Sequence, residues 1–122
     1  PQLSQSEHAS VVNISSVGAF MYAKGASLYV AMKAGLLAVT RSYAGELGPL
    51  GIRVNAIAPG TVDTDMVRNN GPDAARTMSA GQIIKRAASP DEMVGPALFL
   101  ASDASSFVTG QVLMADGGMH PN

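Results

Sequence analysis

Residues 10–16 have the sequence SVVNISS, and residues 27–47 have the sequence SLYVAMKAGLLAVTRSYAGEL. The first stretch is short, β-branched and apolar nearly throughout, which is typical of a strand buried on both faces of a parallel sheet. The second stretch favours a helix because it is rich in alanine, and Gly48-Pro49 ends it. A buried strand followed by a helix of this length predicts one unit of an α/β fold.

The same alternation continues to the end of the chain. It predicts a strand over residues 52–57 and a polar segment over residues 61–88. A helix over residues 89–102 and a strand over residues 111–115 follow. Ser89 is expected to be the N-cap of that helix, with Pro90 at its first position. Strand, helix, strand, helix, strand is the order that builds a parallel sheet. The prediction is an α/β fold with three parallel strands and two main helices, although three strands are few for a stable sheet of this kind.

Composition narrows the classes of function. The chain has 122 residues, the length of one domain, and its formal net charge of -1 offers no attraction for nucleic acid or an anionic membrane. Its apolar runs are too short to span a bilayer. Cysteine is absent, which excludes disulfides and thiolate metal sites and fits a cytoplasmic location. Charged residues make up 14%, below the roughly 25% of typical domains, so part of the surface is expected to be covered.

Three side chains carry the candidate chemistry: Ser16, Tyr29 and Lys33. Ser16 follows the carboxyl end of the first strand, where open α/β sheets bind ligands. Tyr29 and Lys33 are four residues apart on the predicted helix, so they share a face and lie ~6 Å apart along its axis. A nearby ammonium favours the ionised phenol, which can exchange a proton with an alcohol or carbonyl oxygen. Such a pair also occurs on many helices where the lysine only extends into water.

Motifs along nearly the whole chain strengthen the chemical interpretation. They are VNISS, YVAMK, IRVNAIAPG, VTGQ and DGG, at residues 12–16, 29–33, 52–60, 108–111 and 116–118. In this order, with Tyr29 thirteen positions after Ser16, they resemble the compact single-domain branch of the short-chain dehydrogenases/reductases. The resemblance implies a Rossmann-type, doubly wound parallel sheet, of which this chain holds the C-terminal half. It implies no metal site.

The resemblance also implies an activity and a role for each candidate residue. The protein would be an NAD- or NADP-dependent oxidoreductase that interconverts a secondary alcohol and a ketone by hydride transfer. Tyr29 would be the acid/base, Ser16 would hold the substrate oxygen, and Lys33 would bind the nicotinamide ribose, so that Tyr29 and Lys33 also contact the cofactor. The nicotinamide end would be lined by four residues after the second strand: Pro59, Gly60, Val62 and Thr64. The Pro-Gly turn would let the backbone approach the flat ring, and Val62 and Thr64 would bind its carboxamide.

Alternatives stay open at several of these positions. Ser15 competes with Ser16 for the role of the catalytic serine, although the spacing to Tyr29 favours Ser16. Thr64 can cap a helix instead of binding the cofactor. The segment 61–88 would be the substrate lid. Three of its apolar side chains either line the pocket or simply pack: Met66, Val67 and Met78.

The two histidines and one aspartate have plainer interpretations. His8 and His120 lie near the two ends of the chain and are expected to be solvated. Asp116 is expected to form a turn with the two glycines that follow it, and binding of a metal ion stays open as the alternative.

The Gly-rich turn that binds dinucleotide phosphates is not found in residues 1–122. By the resemblance it belongs to an N-terminal half of similar length, so residues 1–122 are expected to be a partial Rossmann-fold domain without its phosphate-binding half. Two interpretations follow. The chain is either the C-terminal half of an active enzyme or a catalytically inactive truncated or proteolysed fragment that keeps the fold and an oligomer interface. In both, the isolated chain is expected to bind the cofactor weakly or not at all.

A protein partner is expected in both cases. The predicted helix 27–47 carries small residues that either let another helix approach or fit against the sheet: Ala31, Ala34, Gly35, Ala38 and Gly45. The partner would be a second copy, in a dimer or tetramer, or a complementing N-terminal half. Without such a neighbour, residues 11–14 would form an unpaired apolar edge. The chain alone is then expected not to be a soluble monomer, which light scattering can test.

Overall fold

Three parallel strands and two main helices build the protein, in a computed structural model that describes residues 2–121. The elements are β1 (Ser10–Ile14), α1 (Ser27–Leu47), β2 (Arg53–Pro59), α2 (Asp65–Arg68), α3 (Ala74–Ser79), α4 (Val94–Ala101) and β3 (Val112–Ala115). The predicted α/β fold is confirmed, and α1 has the bounds that the sequence predicts. Within residues 2–121, no helix has the length and apolar character needed to cross a membrane.

The sheet has the order β1-β2-β3, with β2 in the centre. Ser10 pairs with Arg53 at the start of β1, and Ala56 pairs with Val112 at the start of β3. The interior of β2 is fully buried, as predicted. The prediction that β1 is buried on both faces is wrong for the described chain. β1 is only half-buried, and Ile14 is 52% exposed, because β1 has a strand on one side alone within residues 2–121.

Hydrogen bonds from β1 show that helices cover both faces of the sheet. Ser10 and Asn13 face opposite sides because side chains alternate along a strand. The Ser10 hydroxyl donates to the carbonyl oxygen of Leu100 in α4 at 2.8 Å, whereas Asn13 Nδ2 donates to Thr40 Oγ1 in α1 at 2.9 Å. α1 and α4 therefore lie on opposite faces, which is the predicted doubly wound arrangement.

The helix predicted over residues 89–102 begins with a 3₁₀ turn instead of an α-helical turn. Ser89 is the N-cap and Pro90 the first residue, as predicted, but Pro90–Met93 form a 3₁₀ turn before α4 begins at Val94. The Ser89 N–H donates to Glu92 Oε2 at 2.8 Å, which satisfies a donor that the helix itself leaves free. The α-helix ends at Ala101, one residue earlier than predicted.

The polar segment 61–88 contains two short helices that the sequence did not indicate, α2 and α3. Its two ends meet in a parallel bridge between Val62 and Ala88. Of its three apolar candidates, Val67 is 7% exposed and packs inside, whereas Met66 and Met78 are 68% and 49% exposed. The bridge thus joins the two ends of the segment, and two methionine side chains lie on its surface.

Candidate active site

The carboxyl ends of β1 and β2 lie side by side and carry the candidate residues. The pairing of the two strands runs to Ile14 and Ile57, and the Ser15 N–H then donates to the carbonyl oxygen of Ile57 at 2.8 Å. The turn after β1 begins next at Ser16, and β2 ends at Pro59. This edge is where parallel sheets bind their ligands.

The structure separates the roles of the two competing serines. Ser15 is 3% exposed, and its hydroxyl donates to the carbonyl oxygen of Lys33 at 3.0 Å, so it ties β1 to α1. Ser16 is the N-cap of a single 3₁₀ turn, and its Oγ accepts from the Gly18 N–H at 3.0 Å. That contact uses the oxygen of Ser16 as an acceptor and leaves its proton for a ligand. Of the two serines, Ser16 is therefore the one whose hydroxyl donates no hydrogen bond within residues 2–121.

Gly18 brings the Ser16 hydroxyl and the Tyr29 ring together. A Cβ atom at Gly18 would lie 3.3 Å from Ser16 Oγ and 3.7 Å from Tyr29 Cε1, so the two side chains flank this glycine. Tyr29 lies in the first turn of α1 and is 40% exposed, which leaves it open to a ligand.

Lys33 completes this group from the next turn of α1. Its Nζ lies 5.8 Å from the centroid of the Tyr29 ring and donates to the carbonyl oxygen of Ile14 at 2.8 Å. The ammonium is thus held between the end of β1 and the tyrosine. The three residues that the sequence predicts together do lie together around one turn.

A glycine is needed at position 60 because the chain passes the main chain of Asp116 there. A Cβ atom at Gly60 would lie 2.6 Å from the carbonyl oxygen of Asp116 and 2.8 Å from its Cα, far inside normal contact. The Gly60 N–H donates to the carbonyl oxygen of Ala115 at 3.1 Å, which holds the turn after β2 against the end of β3. The sequence-based reason for this glycine, an approach to a flat ring, misses this contact with Asp116.

Val62 and Thr64 place polar groups at the same edge, where the bridge at the base of the segment 61–88 does not use them. Two hydrogen bonds form the parallel bridge between Val62 and Ala88. The Asp63 N–H donates to the carbonyl oxygen of Ala88 at 2.8 Å, and the Ala88 N–H donates to the carbonyl oxygen of Thr61 at 2.9 Å. The N–H and carbonyl of Val62 itself therefore face away from the bridge. Thr64 is at the N-cap of α2, but its side chain makes no capping bond and only a 3.4 Å contact with the Val62 carbonyl. These half-buried groups fit the donors and acceptors of a carboxamide.

An aromatic contact that the sequence did not indicate joins the turn after β1 to the turn after β3. The Phe20 ring stacks on the His120 ring, with centroids 5.4 Å apart and an angle of 30° between the planes. His120 is half-buried, so the expectation that it is solvated is wrong. His8 is exposed as expected, although its ring contacts Asp103 at 2.8 Å. No periodic signal points to Phe20 and His120, which are far apart in the chain.

Asp116 forms the predicted turn. Its Oδ1 accepts from the Gly118 N–H at 2.9 Å, and its Oδ2 accepts from the His120 N–H at 2.8 Å. The carboxylate is buried and both oxygens are used, so it orients the C-terminal turn that carries His120. Residues 2–121 contain no group of three histidine, cysteine or acidic side chains that can hold a metal ion.

One exposed ion pair lies within the segment 61–88, and a second joins the end of this segment to the 3₁₀ turn that follows it. Arg68 donates to Asp63 at 2.9 Å and lowers the pKa of that carboxyl. Arg86 contacts both oxygens of Glu92 at 2.7 Å. These bonds, with the one from the Ser89 N–H, hold the pKa of Glu92 at about 2, below its ordinary value of 4.5.

Comparison with known proteins identifies the family to which this arrangement belongs. The family model described as enoyl-(acyl carrier protein) reductase matches residues 1–120. The 3-oxoacyl-(acyl-carrier-protein) reductase FabG of Thermotoga maritima is 42% identical over 120 residues, which are 98% of this chain and 48% of the relative. The chain belongs to the short-chain dehydrogenase/reductase family. The predicted family is confirmed.

Other members of the family are similar to the same extent. The L-rhamnose 1-dehydrogenase (NAD(P)(+)) of Azotobacter vinelandii is 38% identical over 97% of this chain and 47% of its own length. The aldohexose dehydrogenase of Thermoplasma acidophilum has a TM-score of 0.90 and 35% identity, over 98% of this chain and 51% of its own. The chain thus spans about half the length of the relatives it matches. Relatives with different substrates lie close together in identity, so similarity alone does not select a substrate.

Proposed function

We propose that this chain is the catalytic half of an NAD(P)-dependent oxidoreductase that interconverts a secondary alcohol and a ketone. The observation that carries the proposal is the group formed by Ser16, Tyr29 and Lys33. Ser16 Oγ and the Tyr29 ring flank Gly18, and the Lys33 ammonium lies 5.8 Å from the centre of the same ring. The three relatives described above are named as dehydrogenases or reductases, which agrees with this chemistry.

The residues of the chain have complementary roles in the proton transfer. In the direction of oxidation, the ionised oxygen of Tyr29 accepts the hydroxyl proton while the C–O bond becomes a carbonyl. The Ser16 hydroxyl donates a hydrogen bond to the same oxygen and holds it beside Tyr29. The Lys33 ammonium places a positive charge 5.8 Å from the centroid of the ring that exchanges the proton. A bound nicotinamide would take the hydride that leaves the alcohol carbon, so the electrons balance.

The segment after β2 is proposed to hold the nicotinamide end of that cofactor. Pro59 and Gly60 form the turn beside the end of β3, and they lie at the same edge of the sheet as Ser16. The main-chain groups of Val62 and the hydroxyl of Thr64 would bind the carboxamide, because neither is used by the bridge or by a capping bond. The segment 61–88 is proposed as the lid over the substrate.

The substitution Tyr29→Phe tests the assignment. The protein is expressed from its complete gene, and oxidation of secondary alcohols is followed at 340 nm with NAD and with NADP. We expect a loss of turnover by at least 10²-fold, because the acid/base is removed, while NADH binding changes little. Tyr43→Phe is the matched control, since Tyr43 lies further along α1 and is 48% exposed. Equal turnover by the Tyr29 and Tyr43 variants would contradict the proposal.

The second candidate is a catalytically inactive fragment that keeps the fold and an oligomer interface. It is favoured by the lack of a Gly-rich phosphate motif in residues 1–122. A fluorescence titration of the protein expressed from its complete gene with NADH and NADPH separates the two candidates, since an inactive fragment would bind neither. Binding in the micromolar range, with turnover that depends on Tyr29, would exclude it.

A second copy of the chain is the proposed partner in either case. One face of α1 exposes apolar side chains at helical spacing: Leu28, Met32, Val39 and Tyr43. The small residues Ala31, Gly35 and Ala38 on this helix are exposed rather than packed against the sheet. This surface would let a second α1 approach closely, in a dimer or tetramer. A complementing N-terminal half would instead cover the open edge of β1.

A further inference from the structure

We propose that Phe20 and His120 form the wall of the substrate site beyond the reacting carbon and select a cyclic alcohol or ketone that carries a second hydroxyl group. This inference rests on the proposed function, because it assigns a substrate class to that same site. It starts from the stacked rings of Phe20 and His120, whose centroids are 5.4 Å apart.

The location of Phe20 follows from the turn that begins at Ser16. Phe20 is the last residue of the 3₁₀ turn Val17–Phe20, for which Ser16 is the N-cap. Gly18 of the same turn lies between Ser16 Oγ and the Tyr29 ring. The Phe20 ring is therefore carried by the same short turn that presents the candidate catalytic serine, and 40% of its surface is exposed.

The location of His120 follows from the turn that begins at Asp116. The main chain of Asp116 touches Gly60, at the proposed nicotinamide end, and its carboxylate accepts from the His120 N–H. The adjacent Met119 side chain reaches Gly81, whose Cβ position lies 4.0 Å from Met119 Cε. His120 thus lies where the serine turn, the turn after β2 and the segment 61–88 meet.

The two side chains offer complementary surfaces to a ligand. The partly exposed face of Phe20 can pack against the C–H face of a saturated ring. The His120 ring makes no hydrogen bond within residues 2–121, so both of its nitrogens are free for a ligand. A neutral imidazole has one donor and one acceptor, which is the pair of groups that a hydroxyl requires. Ligand sites commonly combine an apolar wall with a few polar groups in this way.

The test compares two substrates that differ by one hydroxyl group, cyclohexanol and trans-cyclohexane-1,2-diol. With the protein expressed from its complete gene, we expect kcat/KM for the diol to exceed that for cyclohexanol by about 10-fold, the effect of one added hydrogen bond. His120→Phe keeps an aromatic ring against Phe20 and removes both nitrogens. It should abolish the preference for the diol, because kcat/KM for the diol loses the contribution of the added hydrogen bond.

Two further variants exclude a purely structural effect. His120→Gln restores a donor and an acceptor and should recover part of the preference for the diol. His8→Phe is the matched control, because His8 lies at the other end of the chain with its side chain 66% exposed, and it should leave the ratio unchanged.

Three outcomes overturn the inference, and they differ in what else they overturn. If both alcohols are oxidised in a Tyr29-dependent manner without preference for the diol, the proposed function stands and only this inference fails. If the diol is preferred and the His120→Phe variant keeps that preference, the proposed function again stands and only this inference fails. If neither alcohol is oxidised with NAD or NADP, the proposed function fails for cyclic alcohols and this inference fails with it.

Discussion

Lys33 Nζ donates a hydrogen bond to the main-chain carbonyl oxygen of Ile14 at 2.8 Å. This bond joins α1 to the last residue of β1, just before the turn that carries Ser16. The same helical turn of α1 is tied to β1 a second time, since the Ser15 hydroxyl donates to the Lys33 carbonyl oxygen at 3.0 Å. Lys33 thus takes part in two of the hydrogen bonds that hold the end of β1 to the helix that carries Tyr29.

Replacing Lys33 by methionine should remove the charge and the bond to Ile14 while keeping most of the side-chain length. We expect turnover to fall by about 10² or more, because proton transfer at Tyr29 loses the cation that lies 5.8 Å from its ring. NADH binding should also weaken, since Lys33 is proposed to contact the ribose. Steady-state kinetics and fluorescence titration measure the two effects separately. Unchanged turnover in the K33M protein would contradict the proposed role.

Ser15 and Ser16 offer a matched pair of alanine substitutions. Ser16→Ala should lower kcat by about 10² to 10³, the effect of removing a hydrogen bond to the reacting oxygen. Ser15→Ala should leave kcat nearly unchanged and reduce the free energy of unfolding by about 1 kcal/mol, because it removes the bond to Lys33. Kinetics and urea unfolding of both variants are the measurement. Loss of turnover in the Ser15 variant alone would reverse the assignment.

Much of the fold could be predicted because its signals are local. Residues 27–47 are uninterrupted by proline, and Gly48-Pro49 stops them, so the bounds of α1 follow from composition alone. The positions of Ser16, Tyr29 and Lys33 relative to one another also follow from local geometry, since two are four apart on one helix and the third follows a strand. α2 has four residues and α3 has six, too few for a periodic pattern, so neither could be predicted.

The contacts that could not be predicted join distant parts of the chain. The stacking of Phe20 on His120 depends on how the turn after β1 meets the turn after β3. The close approach of Gly60 to Asp116 depends on the pairing of β2 with β3. The sequence pointed to Gly60, because of the Pro-Gly turn, and to His120, because it lies near the end of the chain. It did not show which residue each one contacts, because those contacts are determined by the packing of the sheet.

The ion pair between Arg86 and Glu92 predicts a pH-dependent part of the stability. The bonds from Arg86 and from the Ser89 N–H hold the pKa of Glu92 at about 2, below its ordinary value of 4.5. A carboxyl group whose pKa is lower in the folded than in the unfolded protein stabilises the fold. This stabilisation is complete at a pH above the unfolded-state pKa, and it is lost as the pH falls through the folded-state pKa. The contribution of Glu92 should therefore be complete above about pH 5 and disappear toward pH 2.

The substitution Glu92→Gln measures that contribution. The difference in Tm between the wild type and the variant should be largest at pH 6–7 and should shrink as the pH falls toward 2. It should also be smaller in 1 M salt, because both partners are largely exposed. Asp91→Asn is the control, because it removes a neighbouring charge in the same turn and keeps the bonds of Glu92 to Arg86 and to the Ser89 N–H. A difference in Tm that is constant from pH 7 to pH 2 would contradict the assignment.

Gly60→Ala tests whether the turn after β2 depends on its contact with β3. The added methyl group would lie 2.6 Å from the Asp116 carbonyl oxygen, and main-chain atoms cannot move aside without displacing the end of β3. We expect the free energy of unfolding to fall by about 1–3 kcal/mol, the usual cost of overpacking a close contact. Gly95→Ala is the control, because a Cβ atom at Gly95 in α4 meets nothing within 4 Å. That variant should be neutral or stabilised by up to about 1 kcal/mol. Equal urea midpoints for the two variants would show that the turn moves freely, and the close contact with Asp116 would then not explain the glycine.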